Sequence, residues 1–109
     1  MEHLIELARR LGKQIAASER TELLKKAQGT LREDGQAGQL LEDYRVHVQK
    51  IQGLEKANKP VEVEDKRKLQ ELEGQIAANG VIGELTRRQA DFVELMQKVK
   101  EAIDGELQF

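Results

Sequence analysis

The sequence predicts an all-α protein, about five helices forming a helical bundle with a long antiparallel helical hairpin. Three observations carry that prediction. Apolar residues recur three and four positions apart through most of the chain, the spacing that lines one face of a helix. No segment sustains the period-two alternation of a half-buried strand, and the β-branched residues are scattered. Asp34-Gly35, Lys59-Pro60 and Asn79-Gly80 interrupt the pattern at helix-length intervals.

The first helix covers about residues 2–17. Leu4, Leu7, Ala8, Leu11 and Ile15 line one side, while Glu6, Arg9, Arg10 and Lys13 fall largely on the other. Ser18 then offers a side-chain oxygen able to cap a helix start, and Glu19 and Glu22 complement the positive end of the macrodipole. A second helix, or a kinked continuation of the first, spans about 19–32 on a stripe of Leu23, Leu24, Ala27 and Leu31. Periodicity fails at Arg32-Glu33-Asp34-Gly35, which places a break.

In the third helix, about 36–56, Ala37, Leu40, Leu41, Tyr44, Val48, Ile51 and Leu54 or Glu55 alternate spacings of three and four, close to the repeat that runs a seam along a helix. Asp34 is its candidate N-cap. The run Ala57-Asn58-Lys59-Pro60 ends it, because the residue before a proline is pushed out of the helical region. A loop through Val63 leads to the fourth helix, about 64–78, with a narrow stripe of Leu69, Leu72 and Ile76. The third and fourth helices form the hairpin. At Ala78-Asn79-Gly80, Asn and Gly are expected to supply the left-handed conformation that ends a helix without strain.

The last helix, about 81–104, aligns Ile82, Leu85, Phe92, Leu95, Met96, Val99, Ala102 and Ile103 on one face. Arg88 and Gln89 interrupt that face for about a turn. An arginine stem lying over the core edge with its charge in water is the preferred reading. A buried polar contact that fixes pairing register is the alternative.

A chain of 109 residues has room for one domain, residues 1–109, and not for two independent cores. Hydrophobic residues make up 39% and charged residues 35%, a balance that suits amphipathic helices with broad wet faces. The aromatics are Tyr44, Phe92 and Phe109 alone, so the core must be built from aliphatic side chains and is thin. Such a chain buries only about two-thirds of its unfolded surface. Partner subunits are a source of further burial, so a homo-oligomer is expected, a dimer first.

Eighteen basic and twenty acidic side chains leave a net charge of -2, which makes no field to draw nucleic acid or anionic lipid. No cysteine is present, which excludes disulfides, thiol nucleophiles and thiolate-held metals or iron–sulfur clusters. The first twenty residues mix acids and bases, unlike a secretory signal, and no apolar run approaches the roughly 20 residues that span a bilayer. A cytoplasmic protein without membrane insertion is expected.

Catalytic constellations are missing. Nucleophilic catalysis needs a Ser, Cys or Thr beside a base that a third group orients. The one serine, Ser18, reads as a cap. Neither His3 nor His47 has the Glu-x-x-His spacing of helical carboxylate-bridged metal sites. Asp43 and His47, one turn apart, read as a surface i, i+4 contact. Glu62, Glu64, Asp65, Glu71 and Glu73 sit beside Lys66, Arg67 and Lys68 and read as a solvated helix with its own salt bridges. Gly80 and Gly83 follow no strand and precede no Gly-Lys-Ser/Thr, so no phosphate cradle is implied. No catalytic residue, cofactor site or metal site is expected.

Local basic clusters at Arg9-Arg10, Lys25-Lys26, Lys66 to Lys68 and Arg87-Arg88 keep a second class open, a nucleic-acid-associated factor using Lys66, Arg67, Lys68, Arg87 and Arg88. Acidic neighbours and the lack of aromatic stacking platforms disfavour direct binding.

Four segments together resemble the YlbF/YmcA family of small bacterial helical regulators. They are Leu7-Ala8-Arg9-Arg10-Leu11-Gly12-Lys13-Gln14-Ile15 followed by Ser18; Asp34-Gly35-Gln36-Ala37-Gly38-Gln39-Leu40-Leu41-Glu42-Asp43-Tyr44; the Lys59-Pro60 loop before an acidic helix start; and Ala78-Asn79-Gly80-Val81-Ile82-Gly83-Glu84. The family commonly reads Asn-Pro-Val-Ile in the last, so Gly80 departs at the proline, and Gly35 stands where Asp-Pro is usual. Both changes keep a helix break, by flexibility in place of a fixed φ.

The resemblance implies an all-helical protein that self-associates, docks an unidentified partner protein and lacks enzymatic activity. Family members are linked to control of competence, sporulation and biofilm formation, some in a complex that influences RNA processing. Some members of that complex are associated with cysteine-held iron–sulfur clusters. This cysteine-free chain is expected to need no cofactor. The faces expected to be buried, in the bundle or between subunits, are Leu40, Leu41, Tyr44, Val48 and Ile51 on the third helix. On the fifth they are Leu85, Phe92, Leu95, Val99 and Ile103.

Overall fold

The computed structural model describes residues 1–109. The chain is all-α, with five helices in the order α1 (Glu2–Ala16), α2 (Glu19–Glu33), α3 (Gly35–Lys56), α4 (Val63–Ala78) and α5 (Gly80–Gly105), and it contains no strand. It divides into two compact units. One comprises Met1–Gly29 with Leu85–Phe109, and the other comprises Thr30–Glu84.

In the first unit, α1 and α2 are separate helices and not a kinked one. Ala17 and Ser18 form the junction, and three donors converge on the Ile15 carbonyl: the Ser18 backbone N–H at 3.1 Å, the Ser18 hydroxyl at 2.7 Å and the Thr21 hydroxyl at 2.6 Å. A carbonyl near a helix end has no intrahelical partner, so hydroxyls replace one. Thr21 is buried in doing so. Ser18 also receives the Thr21 N–H, at a long 3.5 Å, so its capping of α2 is weaker than its hold on α1. Arg20 ties α2 to α5, donating to the Asp91 carbonyl at 3.0 Å and lying 3.8 Å from the Glu94 carboxylate.

The second unit holds the hairpin, in which α3 packs along α4. Asp34 caps α3 as expected, its Oδ1 accepting the Ala37 N–H at 3.0 Å. The break expected over Arg32-Glu33-Asp34-Gly35 narrows to Asp34 alone, and Gly35 is already the first helical residue. Asn58 ends α3 with φ 55, the left-handed conformation that asparagine tolerates. With it the Lys59 N–H reaches the Leu54 carbonyl at 2.9 Å and the Asn58 N–H reaches Glu55 at 3.1 Å, the paired bonds of a Schellman cap.

Two expectations about α4 are corrected. The helix begins at Val63, because the extended Glu62 serves as N-cap and the Asp65 carboxylate reaches back to the Glu62 N–H at 3.4 Å. Its end is not a left-handed one. Asn79 is extended, with φ -82 and ψ 117, and no glycine has positive φ. The Asn79 Oδ1 instead accepts the Ile82 N–H at 2.9 Å, so the residue starts α5.

Within the chain the buried apolar residues are Ala27, Ala37, Leu72 and Ile82. Leu72, on the α4 side of the hairpin, is 2% exposed and Ala37 is 0% exposed. Every other apolar stripe residue is half-buried or exposed.

Candidate functional site

The functional reading rests on helix faces, beginning with the seam on α3. Leu40, Leu41, Tyr44, Val48 and Ile51 are all half-buried, as are Leu69 and Ile76 on α4. Near the junction with α5 this unit has an open groove lined by Gln36, Gln39, Leu40, Asp43, Gln75 and Asn79. Side-chain amides dominate that lining, and no titratable pair converges in it.

Across the middle of the hairpin lies a polar cluster that the sequence reading missed. Asp65 is buried, its side chain 10% exposed, and it accepts a bond from Lys50 Nζ at 2.8 Å. His47 Nε2 lies 2.7 Å from the Asp65 backbone carbonyl. The Lys50 ammonium holds the Asp65 carboxyl below its ordinary range, helped by the Glu62 N–H and by His47, while burial acts in the opposite direction. Asp65 is therefore not one of a row of solvated acids, although Glu64, paired with Arg67 at 2.9 Å, is. His47 turns to α4, and Asp43 accepts from Gln39 Nε2 at 2.8 Å. An acid at the third position of a helix that a carboxylate caps was the available signal for Asp65.

In the first unit, Leu85, Phe92, Leu95 and Val99 on α5 are half-buried, whereas Ile103 is 50% exposed. Phe92 adjoins exposed Val93 and Met96 in a shallow apolar depression closed by Gln97 and Lys100. Arg88 is three-quarters covered and lies 3.7 Å from the Asp91 carboxylate, its charge paired one turn along the same helix. On α1 no side chain is buried, and Leu4, Ile5, Leu7 and Leu11 are all exposed.

The basic residues of the nucleic-acid reading fall on two helices. Lys66, Arg67 and Lys68 are exposed on α4 in one unit, and Arg87 and Arg88 lie on α5 in the other. Arg67 and Arg88 each have a carboxylate partner. The Ser18 hydroxyl is engaged by Ile15 and lies 3.1 Å from the Thr21 hydroxyl, so it is held as a cap. No three His, Asp or Glu side chains are grouped so as to hold a metal ion. No helix is long and apolar enough to cross a membrane.

The family model described as control of competence regulator ComK, YlbF/YmcA, matches residues 4–108. Among solved structures, the X-ray structure of Bacillus subtilis RicA in complex with RicF contains a similar chain. The two superpose with a TM-score of 0.86 at 20% identity, over 94% of this chain and 90% of that one. At that identity the likeness concerns the fold. Curated proteins gave no match.

Proposed function

The chain belongs to the YlbF/YmcA family, and on that premise we propose that it is a non-enzymatic regulatory module of the bacterial cytoplasm that self-associates and docks a partner protein. The observation that carries this reading is the imbalance between covered and uncovered apolar surface. Four apolar residues are buried, against twelve large hydrophobic side chains left exposed. Aliphatic and aromatic groups in such numbers on one small chain mark faces that another protein covers. The RicA chain, solved in complex with RicF, supports the same reading by fold. Control of the competence regulator named in the family description is the pathway class to which the proposal points.

The cysteine-held clusters associated with some relatives do not fit this chain, which has no cysteine and no grouping of His, Asp and Glu to replace one. The proposal therefore contains no cofactor. Nor do the basic clusters supply a second reading, because Arg67 and Arg88 are engaged by Glu64 and Asp91.

The test is affinity capture with the tagged full chain from its native cell, followed by rebinding of each captured protein in purified form. A partner that rebinds at micromolar concentration with fixed stoichiometry supports the proposal. If nothing rebinds, and RNA binds instead with a steep salt dependence, the nucleic-acid reading replaces it.

A further inference from the structure

We infer that Asn79 is a covalent modification site: it deamidates through the Gly80 nitrogen, and the folded first turn of α5 holds that reaction shut. The sequence supplies the reactive pair, and the backbone supplies the gate.

The chain has two asparagines, Asn58 and Asn79, and only Asn79 precedes a glycine. Asparagine is among the chemically labile side chains. A following residue without Cβ gives its backbone nitrogen the most open approach to the side-chain carbonyl carbon. Gly80 is exposed, and as the first residue of α5 its N–H has no intrahelical acceptor. Asn58 differs on each count, since Lys59 follows it and the Lys59 N–H is bonded to the Leu54 carbonyl at 2.9 Å.

The folded backbone opposes ring closure. Closure needs the Gly80 nitrogen nearly eclipsed with Asn79 Cβ, and at ψ 117 it stands about a third of a turn away around the Cα–C bond. Two bonds fix that torsion. The Asn79 carbonyl accepts the Gly83 N–H at 2.9 Å, and the Asn79 Oδ1 accepts the Ile82 N–H at 2.9 Å. Turning ψ swings the carbonyl away from Gly83 and carries the first turn of α5 off the side chain that caps it, so both bonds must open. Local opening of this kind costs less than global unfolding, and the reaction proceeds from the opened fraction alone.

In the opened form the Gly80 nitrogen loses its proton to solvent and attacks Asn79 Cγ. The new N–C bond closes a five-membered succinimide, and the Cγ–Nδ2 bond breaks, releasing ammonia. Water then opens the ring at either carbonyl. Addition at Cγ gives aspartate, and addition at the backbone carbon gives isoaspartate, with one water consumed and one ammonia released in either case. Aspartate keeps the acceptor at the start of α5, where a negative charge is favourable. It also adds a second carboxylate to the amide-lined groove that holds Asp43. Isoaspartate runs the main chain through Cγ and makes a pendant carboxylate of the carbonyl that Gly83 used, so the cap is lost.

The test is incubation of the full chain at mildly alkaline pH, folded and unfolded in urea, followed by peptide mass spectrometry and ion-exchange chromatography. Unfolded, Asn79 is expected to gain the mass of an amide-to-acid change ahead of Asn58, in both aspartate and isoaspartate forms. Folded, the rate is expected to be roughly tenfold lower or more, set by the opened fraction. It should rise with sub-denaturing urea in step with hydrogen exchange at the Gly83 N–H. Asp34-Gly35 and Asp104-Gly105 can form the same ring without change of mass or charge, so they do not enter the signal. Gly80→Pro lacks the attacking N–H and should abolish the gain at Asn79, compared in urea so that folding plays no part. A folded rate equal to the unfolded one, or one that does not follow Gly83 exchange, overturns the gate. An unfolded chain that stays unmodified at Asn79, or a Gly80→Pro chain that reacts at the wild-type rate, overturns the site.

Discussion

Lys50 Nζ lies 2.8 Å from Asp65 Oδ1, bonding a cation near the last third of α3 to the third residue of α4. The pair closes the hairpin with a buried carboxylate and an ammonium that stays partly in water. Because folding lowers the Asp65 pKa, the folded state binds fewer protons there than the unfolded chain, whose carboxyl titrates near about 4. The stabilisation is fully present above that value and is lost as pH falls through the folded pKa. Replacing Lys50 by Met removes the largest influence that lowers the carboxyl's pKa and leaves burial opposed only by the Glu62 N–H and His47. Acid unfolding followed by circular dichroism is expected to begin at higher pH in Lys50→Met than in the wild type.

Leu72→Ala removes the one large side chain that is fully buried. The loss combines transfer and cavity terms, and about 2–5 kcal/mol of stability is expected to go. Urea unfolding at constant m-value reads it directly.

Ala37 meets the opposite constraint. It is 0% exposed in the first turn of α3, so enlarging it must displace neighbours. Ala37→Leu is expected to destabilise by about 1–3 kcal/mol, whereas the same change at exposed Ala77 is expected to be nearly neutral.

Gly80 is the first residue of α5, its φ is not positive, and Asn79 before it is extended, the conformation that a following proline requires. Gly80→Pro, the residue usual in the family, should therefore stabilise by about 0.4–1 kcal/mol through the unfolded chain. Thermal melts of Gly80→Pro above those of the wild type would show it. Melts below would place a needed N–H at Gly80.

Asn79→Ala removes the side chain that accepts the Ile82 N–H, and about 1 kcal/mol is expected to be lost. Asn79→Asp keeps the acceptor and should melt close to the wild type. Had Asn79 been a left-handed helix end, Asn79→Gly would stabilise; as an extended N-cap it should lose a few tenths of a kcal/mol.

The sequence by itself determined the five helices, the Asp34 cap, the Lys59-Pro60 break and the α3–α4 hairpin. Each is set by residues within a turn or two of one another, so spacing and cap chemistry suffice to read it. The same locality explains the misreading at Asn79, since one residue between two helices can serve either as the end of the first or as the start of the second, and only the backbone angles choose. Coverage of the faces was decided by tertiary structure. Asp65 looks like its solvated neighbour Glu64 until α3 brings Lys50 and His47 against it from fifteen and eighteen residues away. Conversely, α1 has as clear an apolar stripe as any of the five helices, yet none of its residues is buried. Periodicity states which side of a helix avoids water, and the packing of distant segments determines what, if anything, meets that side.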